Sequence, residues 1–401
     1  MTPLEGVRVL EVAMYGFVPA AGAVLAEWGA EVIKVEHAVT GDPQRGLRQI
    51  GTLVVDGEPN PNVDNANRGK RSVGLDVSVP QGREVLYELA KRSDVFLTSF
   101  LPAARRKFGI DVDDIRAVNP DIIYARGSAL GPRGPEADKG GYDMTAFWCR
   151  AGAAATITPP GLGGMIPLPG PAYGDTISGT NLAGGIAAAL FQRERTGEPA
   201  VLDVSLLGSG LWAMGHTVAL TNYLGERLVA PPPGAHGSPV NPLVGLYATA
   251  DDRYISFVMM QPAKFWADVC RHIDLPELAD DPRFASAARI AENTAEAVAI
   301  LAKAIAERTL ADWSDRFSTL SGPWAPVQDT LQVTKDSRVR ANEYVVRTGE
   351  LDLVTNPVQF GAVAPHADPA PSFAQHTDAI LAELGLDWEQ IIALKTVGAV
   401  T

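Results

Sequence analysis

Apolar positions along the chain fall into short extended runs separated by segments of helical spacing. Val7 to Val12 is a largely apolar run that predicts a strand. The small-residue stretch Pro19 to Trp28 predicts a helix stopped by Gly29, and Glu31 to Glu36 predicts the next strand. A βαβ unit of this kind is the building block of a parallel sheet with helices on its faces. The alternation continues with a strand at Ser72 to Val77, a helix opened by Pro80 and running to Lys91, and a strand at Asp94 to Ser99. A short helix near Asp113 to Val118 and a strand at Asp121 to Arg126 follow. The pattern predicts an α/β protein with a doubly wound, Rossmann-like parallel sheet.

Beyond this the rhythm changes. Thr156 to Pro171 is rich in Gly and Pro and is expected to be irregular. Ser178 to Arg195 then predicts a helix, Val201 to Ser205 a strand, and Leu206 to Leu224 one long apolar helix. Pro231, Pro232, Pro233 and Gly234 mark a loop. From about Asn241 a strand pair turning at Asp251 and Asp252, and helices around Asp268, Glu292 and Trp313, predict a smaller α+β domain. After Asn342 short extended pieces lead to helices at Thr377 to Leu384 and Trp388 to Leu394. The expected domains are therefore a large one over 1–200, a linking helix and loop over 201–240, a small α+β domain over 241–330, and a return of the chain over 331–401.

Composition narrows the function. A formal net charge of −13 argues against nucleic acid as a partner, since a phosphate backbone requires a basic face. No apolar run reaches the roughly 18 residues a membrane span requires, and Glu5 and Arg8 interrupt any signal-peptide layout, so a cytoplasmic protein without membrane contact is expected. The two cysteines, Cys149 and Cys270, are far apart and the six histidines are scattered, so neither a disulfide framework nor a metal site is expected. Basic clusters at Arg68, Lys70 and Arg71, and at Arg105, Arg106 and Lys107, could meet an anionic ligand locally or be solvated surface.

The turn after the first strand, Ala13 to Pro19, holds only Gly16, which excludes a dinucleotide fingerprint. GxxxxGK[ST] and GxSxG are also absent, and Gly208-Ser209-Gly210 reads as helix packing. A carboxylate is the nucleophile that remains. Asp175, in Tyr173-Gly174-Asp175-Thr176, follows the Gly/Pro stretch and precedes a helix, where N-terminal amides favour the ionised form; the plainer reading is a helix N-cap. Asp143, in Gly140-Gly141-Tyr142-Asp143, is a second acid beside glycines, either a turn residue or half of an acid/base pair.

Several stretches, in order, resemble the family III CoA-transferases, also called the CaiB/BaiF family. They are Leu4 to Glu11, Leu25 to Glu36, Gly41-Asp42-Pro43, Asn67 to Asp76, Tyr173-Gly174-Asp175, Ala325-Pro326-Val327 and Ala374 to Asp378, so that the likeness spans nearly the whole chain. The resemblance implies that Asp175 is the nucleophile, with Tyr142 and Asp143 beside the thioester. It implies coenzyme A contacts at Gly16, Phe17, His37, Asn67, Lys70, Arg71, Ser99, Phe100, Leu101 and Lys107. It also implies acyl-CoA and carboxylic acid as substrates, coenzyme A as the acyl carrier without metal or redox cofactor, and a homodimer of two interlocked rings. Two departures are visible: Ser99-Phe100-Leu101-Pro102-Ala103 replaces the usual Asn-Phe-Arg-Pro-Gly, and His37 stands where arginine is common. No close counterpart of a covering glycine-rich loop is present, with Gly234 to Gly237 as its nearest equivalent.

Two other functions compete. A racemase of the α-methylacyl-CoA type would move a proton next to the thioester, but those enzymes resemble this chain with a histidine at the position of Tyr142, and imidazole is the better base. A non-catalytic CoA-binding protein would have no reason to keep Asp175 together with Tyr142.

Overall fold

The structure is a computed structural model that describes residues 2–232, 237–361 and 368–401. The chain divides into two compact units. The first comprises Met1–Thr158, Leu162–Val229 and Arg338–Thr401, and the second comprises Pro159–Gly161 and Ala230–Ser337. The first unit thus gathers both ends of the chain, and the candidate linker segment around Leu206 lies inside it. Among the described residues no helix is long and apolar enough to cross a membrane.

The first unit is built on a six-stranded sheet: β1 (Arg8–Val12), β2 (Glu31–Glu36), β3 (Arg71–Gly74), β4 (Val95–Thr98), β5 (Ile123–Ser128) and β6 (Val201–Ser205). Their order across the sheet is β3-β2-β1-β4-β5-β6. Every pairing is parallel, as expected of a doubly wound mixed α/β fold. Helix α1 (Phe17–Glu27) follows β1, and α2 (Tyr173–Thr196) leads into β6.

Both faces of the central strands are buried, which explains why they read as largely apolar runs, with Glu11 and Lys34 as buried charges among them. Side chains alternate between faces. Val9, Val95, Leu97, Ile123 and Ala125 join the core shared with α1 and α2, while Leu10, Phe96 and Tyr124 join a second core on the opposite face. The returning C-terminal segment covers that second face through Ile380, Leu381 and Ile391.

The second unit carries an antiparallel three-stranded sheet of β7 (Val244–Ala248), β8 (Tyr254–Val258) and β9 (Trp324–Pro326), with β8 central. Trp266, Trp313, Phe257 and Phe317 fill its core. The short β9 was not visible in the sequence because three residues give no period to recognise.

Two local differences matter. The single helix expected over Leu206 to Leu224 is two, Leu206–Ala213 and Gly215–Leu224. The break falls at Met214, whose φ of −89° and ψ of 7° leave the helical range just before a glycine. Helix α2 begins at Tyr173, not Ser178, so Asp175 lies within its first turn. The Gly234 to Gly237 segment falls largely outside the described residues.

Candidate active site

The turns beyond β1 and β4 lead to opposite faces of the sheet, since α1 packs in the first core and Phe100 and Phe108 against the second. A crevice opens where such connections part. Its walls are Met14, Tyr15 and Phe17 after β1, Ser99, Phe100 and Leu101 after β4, and Gly127 and Ser128 at the end of β5. They enclose a groove of about 560 Å³ that also reaches Tyr142 and Asp175. The Met14 N–H donates to Ser99 Oγ at 3.1 Å and ties the two turns together.

Asp175 reaches this groove from the start of α2. The residue at the N-cap is Ala172, which has no side-chain acceptor and sits at φ 55°. Asp143 supplies what Ala172 cannot: its Oδ2 accepts from the Gly174 N–H at 3.2 Å, and its Oδ1 accepts from the Met144 N–H at 2.7 Å. Asp175 is therefore free of the capping task its sequence position suggested. Gly174 makes this packing possible, because a Cβ there would lie 2.6 Å from Phe147 Cγ and 2.9 Å from Asp143 Cβ.

The expectation that helix amides keep Asp175 ionised is corrected by its surroundings. Among the described residues no donor reaches its carboxylate, and burial, followed by the negative charge of Asp143, pushes its pKa up to about 7. Gly16 lies directly against it: a methyl group at Gly16 would overlap Asp175 Oδ2 and lie 3.2 Å from its Cγ. The φ of −92° at Gly16 is open to any residue, so the glycine answers a close approach and not a backbone demand.

The sequence did not single out Tyr15. Its ring lines the groove and meets Tyr142 edge-on, with centroids 5.6 Å apart and an interplanar angle of 89°. The Tyr142 hydroxyl, then burial, raise its pKa above the ordinary phenol value. Its φ is 64°, a left-handed conformation that costs a non-glycine residue on the order of 1–3 kcal/mol. Sequence carries no signal for this, since glycine or asparagine is the usual mark of such a position.

The basic residues divide differently from expectation. Lys70 is fully buried and donates to both Glu11 oxygens (3.0 and 2.7 Å), to the Pro19 carbonyl (2.8 Å) and to Asn67 Oδ1 (3.2 Å). Lys34 completes the cluster, 3.2 Å from Glu11 Oε1 and 2.8 Å from Asp42 Oδ2. Burial opposes the charge on Lys34, yet Asp42 and Glu11 outweigh it and hold its pKa above the usual lysine range. At Lys70 burial prevails and pushes the pKa down to about 8. Asn67 is buried beside Lys70, and Arg71 pairs with Glu31 and Glu383. None of Asn67, Lys70 or Arg71 lines the groove; their side chains are committed to protein partners. Lys70→Ala is expected to destabilise the fold by about 3–5 kcal/mol in denaturant titration, because it strands a buried carboxylate.

His37 and Lys107 lie at the surface outside the groove. His37 Nδ1 accepts from the Val39 and Thr40 N–H groups, which directs Nε2 toward Asp76 at 3.7 Å. The Lys107 ammonium lies 5.4 Å from the centre of the Phe108 ring. Near Asp143, Phe147 and Trp148 are buried in the core, whereas Met165 and Trp212 are exposed.

The sequence profile of CoA-transferase family III matches residues 4–377, and the chain belongs to that family of enzymes. It is 30% identical to the (R)-2-hydroxy-4-methylpentanoate CoA-transferase of Clostridioides difficile, with 98% of each chain covered. It is 29% identical to the cinnamoyl-CoA:phenyllactate CoA-transferase of Clostridium sporogenes, covering 98% of this chain and 95% of that one. The crystal structure of a CaiB/BaiF family protein from Brucella suis superposes with a TM-score of 0.82 at 26% identity, covering 96% of this chain and 99% of the other.

Proposed function

We propose that this chain moves CoA from an acyl-CoA to a free carboxylic acid through covalent intermediates on Asp175. The observation that carries the reading is a poorly solvated carboxyl, without a hydrogen-bond donor among the described residues, on the wall of a groove at the carboxyl ends of a parallel sheet. A carboxylate so placed is a stronger nucleophile than one in water.

An Asp175 oxygen adds to the thioester carbon, and collapse expels the CoA thiolate to leave a mixed anhydride. The thiolate then adds to the Asp175 carbonyl, releasing the donor acid and forming an aspartyl-CoA thioester. The acceptor carboxylate attacks that thioester, giving a second anhydride and free thiolate. Attack of the thiolate on the new acyl carbonyl forms the product acyl-CoA and regenerates Asp175. Each tetrahedral oxyanion requires N–H donors, and the first turn of α1, which has no side-chain cap, supplies them next to Gly16. Asp143 holds the start of α2 in place, and Tyr142 flanks the thioester. Phe17, Ser99, Phe100 and Leu101 line the path of the pantetheine arm, leaving Lys107 and His37 at the surface for the CoA phosphates.

The test is incubation with acyl-CoA esters and hydroxylamine, followed by peptide mass spectrometry. Modification at Asp175 is the expected result, and an unmodified Asp175 across the ester panel would refute the covalent route. CoA exchange against a panel of acids, including 2-hydroxy-4-methylpentanoate and phenyllactate, identifies the substrates. A homodimer accompanies this reading: Trp212 and Tyr223 are 82% and 87% exposed on neighbouring helices, apolar surface that a second copy would cover. Sedimentation as a monomer at micromolar concentration would refute it.

A further inference from the structure

We propose that Tyr15 is a positioning residue for acyl transfer, its ring forming a rigid wall beside Asp175 that holds the acyl group in line with the attacking oxygen. The inference rests on the covalent reading above and adds to it the residue that sets the acyl geometry.

Three successive residues of the turn are each gripped by a side chain from elsewhere. The Ala13 carbonyl accepts from Lys34 Nζ at 3.0 Å, the Met14 N–H donates to Ser99 Oγ at 3.1 Å, and the Tyr15 N–H donates to Asp42 Oδ1 at 3.1 Å. Asp42 is itself fixed, since its N–H donates to Glu36 Oε2 at 3.0 Å and its carboxylate pairs with Lys34. Lys34, Glu11, Asp42 and Lys70 are all almost completely buried, two charges of each sign. A buried charge cluster adds little stability over an apolar core, so its retention calls for another explanation. Here it clamps a turn in a conformation that tyrosine disfavours.

The clamp fixes two things at once. It turns the Tyr15 ring edge-on to Tyr142, so that two aromatic rings narrow the groove beside Asp175. It also brings the bare α-carbon of Gly16, the next residue, against Asp175 Oδ2. If the turn served only as an entry to α1, glycine or asparagine at position 15 would do as well without strain. The strained tyrosine is the sign that the ring itself is used.

Tyr15→Gly and Tyr15→Asn separate the two explanations, with Tyr15→Phe as the conservative partner. The glycine and asparagine variants are expected to melt at or above the parent temperature, because both residues accept a positive φ. Their kcat is expected to fall at least about tenfold, with the KM for the acyl-CoA changed less than about threefold, as loss of orientation and not of CoA affinity predicts. Tyr15→Phe is expected to recover most of the lost rate. In single turnover the Asp175 adduct should form in the parent and form slowly in Tyr15→Gly. Retention of kcat within about threefold in Tyr15→Gly, or a fall in melting temperature parallel to the fall in kcat without recovery in Tyr15→Phe, would overturn the proposal. An adduct present in the parent and equally fast in Tyr15→Gly removes this inference alone. No adduct in the parent removes the covalent reading, and this one with it.

Discussion

Asp175→Asn is expected to lower CoA transfer by roughly 10⁴-fold or more while making the protein more stable at neutral and alkaline pH. The loss follows from removing the attacking oxygen anion. The gain follows from the position of the carboxyl, whose pKa burial and Asp143 raise from 3.8 to about 7. Well below pH 3.8 the group is protonated in both the folded and the unfolded chain and contributes no difference between parent and variant. Between that point and pH 7 the folded chain holds the proton more tightly, so folding stability falls as pH rises. Above pH 7 the buried carboxylate carries its full penalty, on the order of 4 kcal/mol before any structural relaxation. A neutral asparagine escapes this penalty.

Urea unfolding at pH 5 and pH 8.5 should therefore show a gap between parent and variant that widens with pH. Activity should run the opposite way in the parent, with kcat/KM for the acyl-CoA rising toward a plateau through about pH 7 as the nucleophile ionises. A variant that turns over normally, or a stability difference that does not change with pH, would count against the assignment.

The second large effect is expected from Gly16→Ala. The backbone at Gly16 is compatible with alanine, so folding should change by less than about 1 kcal/mol apart from the local contact. The added methyl, however, occupies space that Asp175 Oδ2 now fills and crowds its Cγ and Cβ, at 3.2 and 3.3 Å. The Asp175 carboxyl must move from its present position to make room. A displacement of about 1 Å at a nucleophile costs on the order of 100-fold in rate, which kcat measured beside a melting curve would isolate. Near-normal kcat in a folded Gly16→Ala protein would mean that Asp175 need not stand against this turn.

The two cases show where the sequence was readable. The strands were legible because burial on both faces leaves short, largely apolar runs such as Val7 to Val12, in which only Arg8 and Glu11 are charged. The start of α2 was not, since its N-terminus is capped by Asp143, 31 residues away, and not by a neighbour with a capping side chain. The break at Met214 was hidden because Gly208 and Gly210 lie inside the first of the two helices without breaking it, so Gly215 does not by itself mark where the chain bends. Lys70 and Arg71 looked like ligand cations because a lysine's partners do not appear in its own segment. Glu11, which neutralises Lys70, comes from β1, 59 residues earlier.

By itself the sequence determined the α/β alternation, the family and the candidate nucleophile, because each is written in local period or in ordered motifs. Tertiary structure alone decided which charges are scaffold and which face the groove, why Gly16 and Gly174 must lack a side chain, and why Asp175 holds its proton near neutral pH. Those properties depend on distances between segments far apart in the chain, and an apposition of that kind leaves no trace in the spacing of either segment.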